Sequence, residues 1–143
     1  MIRRTPIKKK SDKKILREEI GKIHLEYLKH LRGNFDTCEI CGKKTNRLGR
    51  FHILRVGQYP KLEFIDLNVL LTGWFCCHFP HHHYGGNDPK VQHIEERIKE
   101  LRGPKYRDEL LLLDKIQPKQ SIFYLNTLKV WAQDALAILK NKS

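Results

Sequence analysis

All four cysteines of this chain sit in two short clusters, Cys38-Glu-Ile-Cys41-Gly42 and Cys76-Cys77. The second cluster runs directly into His78-Phe-Pro-His81-His82-His83. Thiolates and neutral imidazoles are the preferred ligands of zinc and related transition ions. A C-x-x-C pair closes on one ion through a tight turn, and Gly42 supplies the backbone freedom such a knuckle needs. Cys38 and Cys41 therefore read as two ligands of one metal. Cys76 and Cys77 are expected to complete the set, although His81, His82 or His83 could replace one of them. The chain carries more candidate ligands than a closed four-coordinate site can use.

The remaining properties narrow the context. Lys and Arg number 28 against 16 Asp and Glu, a formal charge of +12 over 143 residues. That excess favours a polyanionic partner, of which nucleic acid is the commonest. The opening Met-Ile-Arg-Arg-Thr-Pro-Ile-Lys-Lys-Lys is not a secretory h-region. With two cysteines adjacent, reduced metal-binding thiols in the cytoplasm are expected rather than a disulfide framework. No apolar run is long enough to span a membrane.

Residues 1–11 form a basic arm expected to be flexible, with Arg3, Arg4, Lys8, Lys9 and Lys10 placed to track phosphates. From Asp12, the residues Leu16, Ile20, Ile23, Tyr27 and Leu31 recur at steps of three and four, which predicts an amphipathic helix over 12–33 ending near Gly33. Residues 34–88 change character. Short β-prone runs over 50–56 and 62–65 predict two strands, with a turn across 57–60. Asn68 opens a further apolar run. Trp74 and Phe75 are expected in the core. Asp88-Pro89 signals a helix start, and Val91, Ile94, Ile98 and Leu101 give that helix one apolar face. Two more helices are predicted over 106–116 and 121–140, so residues 89–143 form a C-terminal helical region. The last helix has Ile122, Leu125, Leu128, Ala132, Ala135 and Leu139 on one face.

The order of polar groups in the central segment suits phosphodiester hydrolysis. That reaction needs a nucleophilic water, a base, and positive charge on the developing phosphorane and leaving oxygen. A histidine such as His52 can be the base near neutral pH. Asn68 is expected to hold His52 by a side-chain hydrogen bond. His78 and His82, four residues apart at a predicted helix start, would face the same way and hold a divalent ion. Arg55 is a candidate clamp for the phosphate.

With these pieces in place, residues 38–87 resemble an HNH endonuclease of the ββα-metal class. Within that class they are most similar to the phage recombination nucleases of the NinG/Rap type. The matching segments are Cys38-Glu-Ile-Cys41-Gly42, Phe51-His52-Ile53-Leu54-Arg55, Tyr59-Pro60-Lys-Leu62-Glu-Phe64, Asn68-Val69, Cys77-His78 and Gly86-Asn87. The resemblance implies an α+β fold with a small zinc-stabilised, treble-clef-like ββα-metal core, flanked by N- and C-terminal helices. It implies metal-dependent cleavage of DNA, structure-specific on branched intermediates. His52 would be the general base, Asn68 its support, and the catalytic ion Mg²⁺ or Mn²⁺. A homodimer would suit cutting of both strands, and a phage-encoded protein would act in the cytoplasm of its bacterial host. Two departures stand out. Many such sites carry Asp or His before the general base, where this chain has Phe51; Asp66 is then a candidate ligand. The second cysteine pair is adjacent rather than C-x-x-C. Phe51 favours a rival reading, a non-catalytic zinc module that binds nucleic acid or a protein.

Overall fold

The computed structural model describes residues 9–84 and 91–142, with the backbone alone for 82–84. The architecture is α+β. Five helices surround a two-stranded antiparallel sheet: α1 (Asp12–Arg32), β1 (Leu48–His52), β2 (Val69–Gly73), α2 (Phe79–Tyr84), α3 (Gln92–Arg102), α4 (Tyr106–Ile116) and α5 (Ile122–Asn141). Helix α1 starts where the Ser11 side chain accepts from the Lys14 amide, which satisfies one orphan donor of its first turn. It ends at Gly33, whose φ of 60° reverses the chain.

The hairpin is the centre of the molecule because both of its faces are covered. Strand alternation sends Leu48, Val69 and Leu71 to one side, where they meet Leu28 of α1. Phe51 and Leu70 go to the other side and join Val91, Ile94, Ile98 and Tyr106 from the C-terminal helices. Every residue of β2 is buried. Helix α5 packs outside α1 and is tied to it by an ion pair of 2.6 Å between Lys129 and Glu19.

The expected strand pair is corrected. β1 is Leu48–His52 and its partner is Val69–Gly73, with His52 opposite Val69 and Leu48 opposite Gly73. Residues 62–65 do not form a strand. Pro60, which lacks an amide proton and has a fixed φ, opens a 3₁₀ turn over Pro60–Leu62. Asp66–Asn68 makes a second such turn. The connection between the strands is therefore coiled, and one buried side chain pins it. Asn68 Oδ1 accepts from the Leu54 amide at 2.8 Å, while its Nδ2 donates to the carbonyls of Leu54 and Leu62 at 3.1 and 3.3 Å. A fully buried amide that meets three backbone groups acts as a piece of local secondary structure.

The helix starting at Asp88-Pro89 falls partly outside the described residues. Its later part is α3, with Ile94 and Ile98 buried as the pattern predicts and Gly103 at its end. The basic-arm residues Arg3, Arg4 and Lys8 also lie outside the described residues. Lys9 is exposed, and Lys10 pairs with Glu18 at 3.0 Å.

Replacing Asn68 by Ala removes partners from three buried backbone groups, each costing on the order of 1–3 kcal/mol. We expect Asn68→Ala to lower the urea midpoint of unfolding far more than His52→Ala does. Equal midpoints for the two variants would contradict this role for Asn68.

Candidate functional site

The four thiols come together. The sulfur atoms of Cys38, Cys41, Cys76 and Cys77 all lie within 4.8 Å of one another, so this set can hold a metal ion. The knuckle closes as its sequence predicts: Gly42, at φ 75°, donates to the Cys38 carbonyl at 2.9 Å, and Cys38 donates to Lys43 at the same distance. The second pair arrives on a widened π turn over Trp74–His78. That turn lets two adjacent cysteines both reach inward. A side chain at Gly73 would lie 2.7 Å from Cys76 Sγ, so the absent Cβ makes room for that thiol.

The acidity of the thiols fits a cation's demand. Cys38 is pulled down to about 4, first by the hydrogen bond that Cys77 donates to it. Cys77 is pushed up by the same shared proton. Cys76 is pushed up to about 11, by burial first and then by the neighbouring thiols. Cys38 and Cys77, which share a proton, do not both ionise unaided, and a dication bound among the four sulfurs would remove that conflict.

Glu39, inside the knuckle, connects it to the rest of the fold. Its carboxylate accepts from the Leu71 amide at 2.8 Å and pairs with Arg32 of α1 at 2.7 Å. Its amide donates to the Leu71 carbonyl, and Arg97 of α3 donates to its own carbonyl.

His52 lies at the end of β1, half-buried. Its Nε2 is 2.9 Å from the Glu63 carbonyl. A carbonyl can only accept, so Nε2 carries the proton and Nδ1 keeps its lone pair. The hydrogen bond expected between His52 and Asn68 is replaced by this one. Asn68 acts indirectly, by fixing the loop that carries Glu63. Arg50 Nη1 donates to the same Glu63 carbonyl at 3.1 Å and approaches His24 Nδ1 at 3.2 Å. Arg50 reaches this position because residue 21 is glycine: a Cβ there would lie 2.5 Å from the guanidinium. Arg17 pairs with the Glu63 carboxylate at 2.6 Å. His52 is held well below the usual imidazole range, at about 4, by burial first and then by the Arg50 charge. It is therefore neutral at pH 7.

His52 borders an open cleft of about 440 Å³ with Arg55, Val56, Gly57 and Gln58. The exposed Arg55 thus shares a surface with His52, as its proposed phosphate role requires. Asp66 does not line that cleft. It pairs with His24 Nε2 at 2.8 Å. Burial shifts His24 downward as well, against the pull of Asp66.

His78 and His81 lie across the sheet from Arg50. Both pack on Phe51, at ring-centroid distances of 5.8 and 4.8 Å. A Cβ on Gly49 would lie 3.7 Å from His78 Nδ1, so Gly49 leaves room for that ring. The side chain of His82 lies outside the described residues. Among the described residues, the four cysteines are the only group of three or more ligands that converge. Among the described residues no second ligand set stands beside His78, and the fully buried Phe51 packs against the rings of His78 and His81. Trp74 and Phe75, expected in the core, are 43% and 74% exposed. The π turn sends the cysteines inward and these two outward, with the Trp74 ring tilted against His78 at a centroid distance of 4.9 Å.

The residues that sequence reasoning missed are Arg50, Glu63 and His24. Gly21, placed mid-helix against propensity, was the available signal for the first of them. No family model matches this chain, and no curated protein or solved structure matches it. Among the described residues, no helix is long and apolar enough to cross a membrane.

The depressed basicity of His52 predicts a pH effect. Unfolded, it takes a proton near its ordinary 6.5; folded, it does so at about 4. Stability is full above about pH 6.5 and is lost as pH falls toward 4, by at most about 3 kcal/mol from this group. His24 adds to the loss with the same sign. The loss measured by urea unfolding across that window should be smaller in His52→Asn; an unchanged loss would contradict the assignment.

Proposed function

We propose that this chain is a metal-dependent endonuclease of the HNH, ββα-metal type, acting on DNA and suited to branched recombination or replication intermediates. Its four cysteines would hold a structural zinc. The observation that carries the reading is the state of His52: a neutral imidazole at the end of the first strand, with Nε2–H fixed on the Glu63 carbonyl and the residue bordering the cleft. A general base must hold a lone pair at working pH and keep a fixed direction. Both conditions are met by contacts already described.

In this mechanism His52 Nδ1 takes a proton from water. The resulting hydroxide attacks the phosphorus, and the 3′ oxygen leaves. The Nε2–H···O contact stabilises the imidazolium that forms. Arg55 places positive charge on the same surface, where the phosphate gains negative charge. A divalent ion would supply further charge to the phosphorane and leaving oxygen. His78 and His82 are its proposed ligands. The overall charge of +12 supports the choice of a polyanionic substrate.

One observation favours a second reading. Phe51 is fully buried against His78 and His81, where the resemblance places a metal ligand. A non-catalytic zinc module that binds nucleic acid would tolerate that hydrocarbon ring.

Nicking of supercoiled plasmid and of branched DNA, with Mg²⁺ or Mn²⁺, separates the two. Wild-type protein should cleave, and His52→Ala should lose roughly 10²- to 10⁴-fold in rate with metal content and DNA binding retained. His78→Ala should lose activity that raised metal partly restores, while His52→Ala should show no such rescue. Wild-type protein that binds DNA but cleaves none, at any divalent concentration, would replace the nuclease by the binding module.

A further inference from the structure

Helix α5 has an outer face that its sequence does not explain as surface. Leu125 is its only buried residue, and the side turned to α1 carries Leu128, Ala132 and Ala135. Away from that side stand Phe123, Val130 and Ile138, which are 83%, 54% and 56% exposed, and at its edge stands Trp131, 62% exposed, which also lines the cavity beside His24 and Tyr27 of α1. At 3.6 residues per turn, these four positions fall within an arc of about 100°. Thr127 and Asp134 lie in the same arc. No lysine or arginine does: Lys129 turns to Glu19 of α1, and Lys140 falls on the far side of the arc. In a chain with a charge of +12, a long cation-free apolar stripe is a surface for protein, not for a polyanion.

We propose that this face pairs with the same face of a second copy, giving an antiparallel two-fold dimer. The spacing is self-complementary. With the axis between Val130 and Trp131, Phe123 meets Ile138 of the other copy, Val130 meets Trp131, and Thr127 meets Asp134. Each large apolar side chain then faces another, and the two carboxylates sit opposite hydroxyls and apart from each other. That is the requirement of an isologous contact. The area also suffices. The four exposed side chains, with Ile122 beside them, offer on the order of 500 Å² of apolar surface. A stable interface takes about 800 Å² per partner, roughly 60% of it apolar. The pairing leaves the hairpin, the cysteine cluster and the His52 cleft outside the contact, so it does not depend on the nuclease reading.

Sedimentation analysis of the full chain at micromolar concentrations should give twice the 17.0 kDa chain mass. Phe123→Asp and Ile138→Lys should each sediment as monomers with unchanged helix content. Mixed in equal amounts, they should form a heterodimer. One end then carries an ion pair between the two new charges, and the other end keeps the native Phe123–Ile138 contact. A monomeric wild type, or single variants that remain dimers, would overturn the dimer. Monomeric variants whose mixture stays monomeric would overturn the antiparallel register.

Discussion

The convergence of four thiols is the constraint on which the rest of this structure depends. Residues 34–47 carry little apolar material, and their position rests on the knuckle and on Glu39. The knuckle in turn abuts the π turn that delivers Cys76 and Cys77. A metal bound there would tie the segment before β1 to the segment after β2, closing the open end of the hairpin, where Leu48 faces Gly73. The acidities of the apo thiols point the same way, since one proton shared between Cys38 and Cys77 leaves charge that a cation would balance. In a small domain, binding energy of this kind is folding energy.

A second set of contacts runs through the other face of the hairpin. Asp66, His24, Arg50 and the Glu63 carbonyl form a connected polar chain that ends on His52. Its members come from α1, β1 and the loop between the strands. The chain fixes one tautomer of His52, the property that the proposed chemistry asks of a base; its Glu63 carbonyl favours the imidazolium, while burial and then the Arg50 charge oppose it. On the opposite face, Phe51 packs against His78 and His81. A single-residue step along β1, from Phe51 to His52, thus separates a hydrocarbon core from a preorganised imidazole, and this contrast generates both functional readings.

Much of this was legible in the sequence because it depends on local pattern. The helices follow apolar spacing, and Ser11, Gly33, Ser121 and Gly103 mark their ends. The cysteine cluster follows from ligand chemistry alone. What was not legible depends on backbone geometry. Residues 62–65 alternate like a strand, yet Pro60 winds the chain into a 3₁₀ turn and the pairing passes to Val69–Gly73. The i, i+4 rule joins His78 to His82, whose side chain lies outside the described residues; the contact of His81 beside His78 on Phe51 was not foreseen. The π turn exposes Trp74 and Phe75. Asn68 was singled out as a support for His52; its hydrogen bonds lead to Leu54 and Leu62, a long-range arrangement that no local pattern encodes. Arg50 reads as an ordinary strand charge until Gly21 is seen beneath it.

X-ray absorption at the zinc edge of the purified protein tests the central constraint most directly. The account predicts one zinc per chain with four sulfur neighbours at about 2.3 Å. A protein without bound metal, or one whose ion is surrounded mainly by nitrogen and oxygen, would contradict it.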